Sequence, residues 1–89
     1  MSDESKRSLM PEVTFSTFVL SLASSALVHL GEVPNPETGG TERNEALARN
    51  AIDVLTMLED KTRNGLTPEE STLLRDVLYE LRMKFVARS

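Results

Sequence analysis

The chain has 89 residues and a mass of 9.9 kDa, which allows one small domain at most. Its 14 acidic and 10 basic residues give a net charge of −4, which argues against a nucleic-acid partner. Because the sequence has no cysteine, it has no disulfide, thiolate metal site or cysteine nucleophile, and we expect a cytoplasmic protein.

The N-terminal part of the sequence changes character after its first dozen residues. Residues 1–12 are polar and predict a flexible leader, which leaves 13–89 as a single helical domain. From Val13 to Val28 no residue is charged, and the apolar side chains cover roughly 200° of a helical projection. This pattern predicts a first helix over about residues 15–30, ended by Gly31.

The next segment, residues 31–41, contains two prolines and three of the four glycines, so we expect an ordered connection without regular structure. Thr41 then has the side chain of an N-cap, which predicts a second helix over about residues 42–64. One face of that helix is apolar, with Ile52 placed at its margin. The residues of this face are Leu47, Ala48, Ala51, Val54, Leu55 and Leu58.

The third helix, over about residues 68–87, has the clearest start in the sequence. Thr67 is a predicted N-cap, Pro68 fits the first helical position, and Glu70 completes a capping box. This helix has two apolar sides, which predicts two packing partners. One side comprises Leu74, Val77, Leu78, Leu81 and Phe85, and the other comprises Tyr79, Met83 and Val86.

The sequence shows no spacing of residues that is typical of a catalytic or metal site. The single histidine, His29, lies at the edge of the first apolar arc, where a neutral packed ring is favoured over a metal or acid–base role. We therefore predict no catalytic residue, no metal ligand and no cofactor, and a protein that is not an enzyme.

The predicted fold is all-α, either a three-helix domain or a helical hairpin with a third helix, and it self-associates as a homodimer or a higher oligomer. The first helix has only a narrow hydroxyl-bearing strip that is suited to face water, and the third helix has a second apolar side. A monomer would therefore leave apolar surface exposed, which a second copy would cover. We therefore predict a non-catalytic interaction or structural module, with an unknown protein partner left open. The predicted oligomer interface consists of Phe15, Phe18, Leu22, Leu27, Tyr79, Met83 and Val86.

Two alternatives remain at this point. The apolar first helix could lie on a lipid surface, although it lacks the lysines and arginines typical of such helices, and it is too short and too hydroxyl-rich to span a membrane. The chain could also be a small subunit that completes a partner enzyme.

Three segments of the sequence carry a family resemblance. They are FSTFVLSLASSALVHLGEVPNPETG, LARNAIDVLTMLEDKTRNGLTPEE and VLYELRMKFV. With them, the chain resembles over residues 13–87 the small bacterial proteins grouped as domain of unknown function 1844. The resemblance implies a helical, cytoplasmic bacterial protein without an established activity, and it carries over no catalytic residue.

Overall fold

The computed structural model describes residues 12–87, which form three α-helices and contain no strand. These are α1 (Phe15–His29), α2 (Glu45–Lys61) and α3 (Pro68–Ala87). The all-α prediction is confirmed, and because each helix contacts both others the arrangement is a three-helix domain. The predicted leader lies outside the described residues except for Glu12.

Both ends of α1 are closed by local hydrogen bonds. At the start, the Thr17 N–H donates to Thr14 Oγ1 at 3.0 Å and the Thr14 N–H donates to Thr17 Oγ1 at 2.9 Å. At the end, the Glu32 N–H donates to the Leu27 carbonyl and the Gly31 N–H to the Val28 carbonyl, the bonds of a Schellman motif. Gly31 has φ of +76°, so the predicted glycine end of α1 is confirmed.

The core lies along the line where the three helices meet. On α2 it differs from the predicted face, because Ile52 is only 8% exposed whereas Leu47 is 47% exposed. The side of α2 that faces the core is therefore rotated about the helix axis relative to the predicted side, away from Leu47 and toward Ile52. The core side chains are Val19, Ala23, Ala26, Leu30, Ala48, Ile52, Leu55, Leu74, Leu78 and Leu81.

The start of α2 corrects a prediction from the sequence. Asn44, not Thr41, is the N-cap, and its side chain accepts from the Leu47 N–H at 3.0 Å. The Asn44 N–H donates to the His29 carbonyl at 2.7 Å, which ties the end of α1 to the start of α2. This bond holds Asn44 in an extended conformation, so the helix begins at Glu45 rather than at residue 42, and it ends at Lys61 rather than at residue 64.

The connection between α1 and α2 folds back on itself at Asn35. The Asn35 N–H donates to the Gly40 carbonyl at 2.8 Å, and the Gly39 N–H donates to the Asn35 carbonyl at 2.7 Å. Gly39 has φ of +77°, which other residues rarely adopt. These bonds agree with an ordered connection, although Val33 stays exposed and gives the segment little apolar burial.

The start of α3 confirms the predicted capping box. The Glu70 N–H donates to Thr67 Oγ1 at 3.1 Å, and Glu70 Oε1 accepts from the Thr67 N–H at 3.0 Å. We expect Thr67→Ala to lower the free energy of unfolding by about 0.5 to 2 kcal/mol, because it leaves a helix-terminal N–H without its acceptor. Urea unfolding followed by circular dichroism measures the loss.

The matched control for this prediction is Ser71→Ala, which removes a hydroxyl from the interior of the same helix. Its side chain is exposed, and alanine has the higher helix propensity, so stability should stay the same or rise slightly. Equal losses for the two variants would contradict a specific capping role for Thr67.

Candidate interaction surface

The outer face of α3 exposes three large apolar side chains in one line. Tyr79, Met83 and Val86 are 67%, 56% and 71% exposed, and they are spaced four and three residues apart. Residues with this spacing lie on one side of a helix. We call these three residues the outer stripe. The opposite side of α3 packs into the core, so the two apolar sides predicted for this helix are confirmed.

Charged side chains of opposite sign flank the outer stripe. At about 100° per residue, Arg75 and Arg82 lie on one flank, which we call the basic edge. Glu69, Asp76 and Glu80 lie on the other flank, which we call the acidic edge. The surface is therefore apolar in the middle and charged along both borders.

The basic edge faces α2. Arg82 Nη2 donates to Thr56 Oγ1 of α2 at 2.8 Å, which fixes this side chain near the second helix. On the outer surface, Arg75 lies 3.9 Å from Asp76, and Lys84 lies 3.5 Å from Glu80. These two ion pairs are solvent-accessible, so each contributes little to stability and leaves its groups able to pair with another molecule.

A groove of about 280 Å³ between α2 and α3 adjoins the outer stripe at Val86. Beside it, the guanidinium groups of Arg43 and Arg49 lie 5.5 and 5.4 Å from the centre of the Phe85 ring. Arg43 Nη2 also donates to the Phe85 carbonyl at 3.2 Å. The groove is lined by Arg49, Ile52, Asp53, Arg82, Phe85 and Val86.

This cation–ring cluster was not predicted from the sequence. Arg43 and Phe85 are 42 residues apart, and neither lies in a motif that links them. Arg49 has only a local signal, its spacing from Glu45, and that pair is present at 3.9 Å. The cluster therefore depends on how α2 and α3 pack, which a local pattern does not contain.

The predicted interface residues of α1 lie elsewhere. Phe15, Leu22 and Leu27 are partly buried against the core, whereas Phe18 is about half exposed. Leu27 lines a small cavity with residues of α3, and Phe18, nine residues earlier, lies on the opposite side of α1. Phe18 and Leu27 thus lie on opposite sides of α1, and the outer stripe contains the three predicted interface residues of α3.

A second groove, of about 390 Å³, lies between the end of α1 and the proline-containing connection. It brings together Ser25, His29 and Glu37, which are residue types found in catalytic relays. Within residues 12–87, no hydrogen bond joins these three side chains. Among the described helices, none has both the length and the hydropathy that a membrane span requires.

One comparison with known proteins gives a match. The family model described as domain of unknown function (DUF1844) matches residues 12–87, which confirms the resemblance noted from the sequence. No curated protein and no solved structure matches the chain.

Proposed function

The chain belongs to the DUF1844 family, and we propose that it works without catalysis, as a cytoplasmic interaction module that associates with copies of itself. The observation that carries this proposal is the outer stripe of α3. Isolated exposed apolar side chains are ordinary on protein surfaces, whereas three large ones in a line on one helix support a role in binding another protein surface.

The size of the domain also supports self-association. A chain of this length buries only about 60% of the surface that its unfolded form exposes, so its own core supplies limited stability. Covering the outer stripe with a second copy removes further apolar surface from water, at about 25 cal/mol per Å² before docking costs.

The orientation of α1 favours this proposal over lipid binding. Val19, Ala26 and Leu30 are fully buried in the domain, so the most apolar side of α1 is directed toward α2 and α3. A helix that inserts into a lipid surface would have to expose that side, which would separate the three helices.

Gel filtration coupled to light scattering tests the proposal. We expect the wild-type chain at micromolar concentration to have a mass of at least about 20 kDa, twice the 9.9 kDa of one chain. Met83→Lys places a charge within the outer stripe and should return the mass to that of a monomer, because burying an unpaired charge is costly.

The matched control is Met57→Lys, the same change at a methionine of α2 that is 49% exposed and lies outside the outer stripe. This variant should keep the mass of the wild type. A wild-type chain that is monomeric yet unfolds cooperatively would overturn the proposed function, and equal dissociation by both variants would remove the assignment to α3.

A further inference from the structure

The spacing of the outer stripe is that of a two-helix seam. Tyr79, Met83 and Val86 follow one another at intervals of four and three residues, the d, a and d positions of a heptad. In this register Arg75 and Arg82 occupy g positions, and Glu80 occupies an e position. The spacing therefore favours a second α3 helix as the partner of the outer stripe.

The charged edges distinguish the two directions in which a second α3 can pack. In a parallel pair, the twofold axis runs along the helices, so the g positions of one copy, Arg75 and Arg82, face the e positions of the other, where Glu80 is the acidic residue. In an antiparallel pair, each edge meets its own counterpart, which places the arginines of the two copies together. Opposite charges at facing e and g positions favour the arrangement that pairs them, here the parallel one. Like charges that face each other disfavour the antiparallel arrangement.

We therefore infer that two copies pair through α3 with the helices parallel and in register, so that Arg75 of each copy meets Glu80 of the other. This inference rests on the proposed function and specifies its contact. In a parallel seam a g residue lies opposite the e residue five positions further along the partner, which is the separation of Arg75 and Glu80.

The groups that would form this contact are accessible. Arg75 and Glu80 are exposed, and each has only one solvent-exposed ion pair within its own helix. Glu69, at an a position, approaches its own symmetry mate in the parallel pair, and so does Asp76, at the next a position. The Asp76 carboxylate lies 3.9 Å from Arg75, which reduces the repulsion between the two Asp76 side chains.

Because the chain has no cysteine, single cysteines report the arrangement directly. We would introduce Tyr79→Cys, Val86→Cys and, as a control on the outer side of α2, Asn50→Cys, each alone in the full chain. Positions 79 and 86 are seven residues apart, which is about 10 Å along a helix. In a parallel pair both form disulfide-linked dimers on mild oxidation, whereas an antiparallel pair brings at most one of them close to its own mate.

Rapid cross-linking of both stripe variants, with little for Asn50→Cys, is the expected result. A dimeric mass with only one stripe position cross-linked would overturn the parallel arrangement and leave the proposed function intact. A monomeric mass of the wild-type chain would overturn the proposed function itself.

Charge reversal gives an independent measurement of the same contact. Arg75→Glu and Glu80→Arg should each weaken dimerisation about three- to tenfold, and the double variant should restore it, because the pairs are re-formed with exchanged signs. The two residues are not neighbours within one helix, so restoration requires contact between copies. Additive weakening in the double variant would overturn the Arg75–Glu80 pairing.

Discussion

Replacing Leu55 with alanine is expected to lower the free energy of unfolding by about 3 to 5 kcal/mol. Leu55 is fully buried on α2, among core side chains of all three helices, so the missing atoms leave a cavity that the helices cannot close without separating elsewhere. A small domain has only about 5 to 15 kcal/mol of stability in total, so the variant should be partly unfolded at moderate temperature.

Leu47→Ala is the matched control for the Leu55 prediction. It makes the same chemical change on the same helix at a side chain that is about half exposed, so we expect a loss of about 1 kcal/mol or less. Both variants should be compared with the wild type at one protein concentration, because association would add to the apparent stability. Similar losses at positions 47 and 55 would contradict the described core.

The second large effect is expected at Phe85. Its ring packs against the core and lies next to the guanidinium groups of Arg43 and Arg49, so Phe85→Ala removes both apolar burial and two cation–ring contacts. Since the ring is only partly buried, we expect a loss of about 2 to 4 kcal/mol, at or below the lower part of the range for fully buried aromatic residues. Phe18→Ala, which truncates the half-exposed ring of α1, should cost less.

A double-mutant cycle separates the two contributions at Phe85. Phe85→Leu keeps an apolar side chain without the ring, and Arg43→Met keeps a long side chain without the charge. If the cation–ring contact stabilises the domain, the sum of the two single-variant losses in the free energy of unfolding should exceed the loss of the double variant by about 0.5 to 2 kcal/mol. Strictly additive losses would show that the contact between Arg43 and the ring does not add to the stability supplied by burial.

The parts of the fold that were predictable are those decided by residues close together in the chain. The capping box at Thr67 and Glu70 involves residues three apart, and the end of α1 at Gly31 requires a backbone conformation that glycine adopts easily. The outer stripe was also predictable, because its three residues lie away from the core in a packing that buries Leu74, Leu78 and Leu81 together.

The parts that were not predictable depend on contacts between distant residues. Thr41 and Asn44 both have side chains that can cap a helix, and the choice of Asn44 is linked to its N–H reaching the His29 carbonyl across the connection. The burial of Ile52 rather than Leu47 depends on the rotation of α2 about its axis. That rotation is decided by packing against α1 and α3 together, and a single helical projection does not contain it.

Two consecutive residues at the start of α2 bind backbone carbonyls of the other two helices. Arg43 binds the carbonyl of Phe85 in α3, and Asn44 binds that of His29 in α1. Every residue has a backbone carbonyl, so neither hydrogen bond requires a particular side chain on the accepting residue, Phe85 or His29. Both bonds do depend on the number of residues that precede the accepting residue, because one inserted or deleted residue turns a helix end by about 100° and shifts it by about 1.5 Å. The end of α1 should therefore tolerate an exchange of the His29 side chain much better than a change in helix length, whereas Phe85 is also required for its ring.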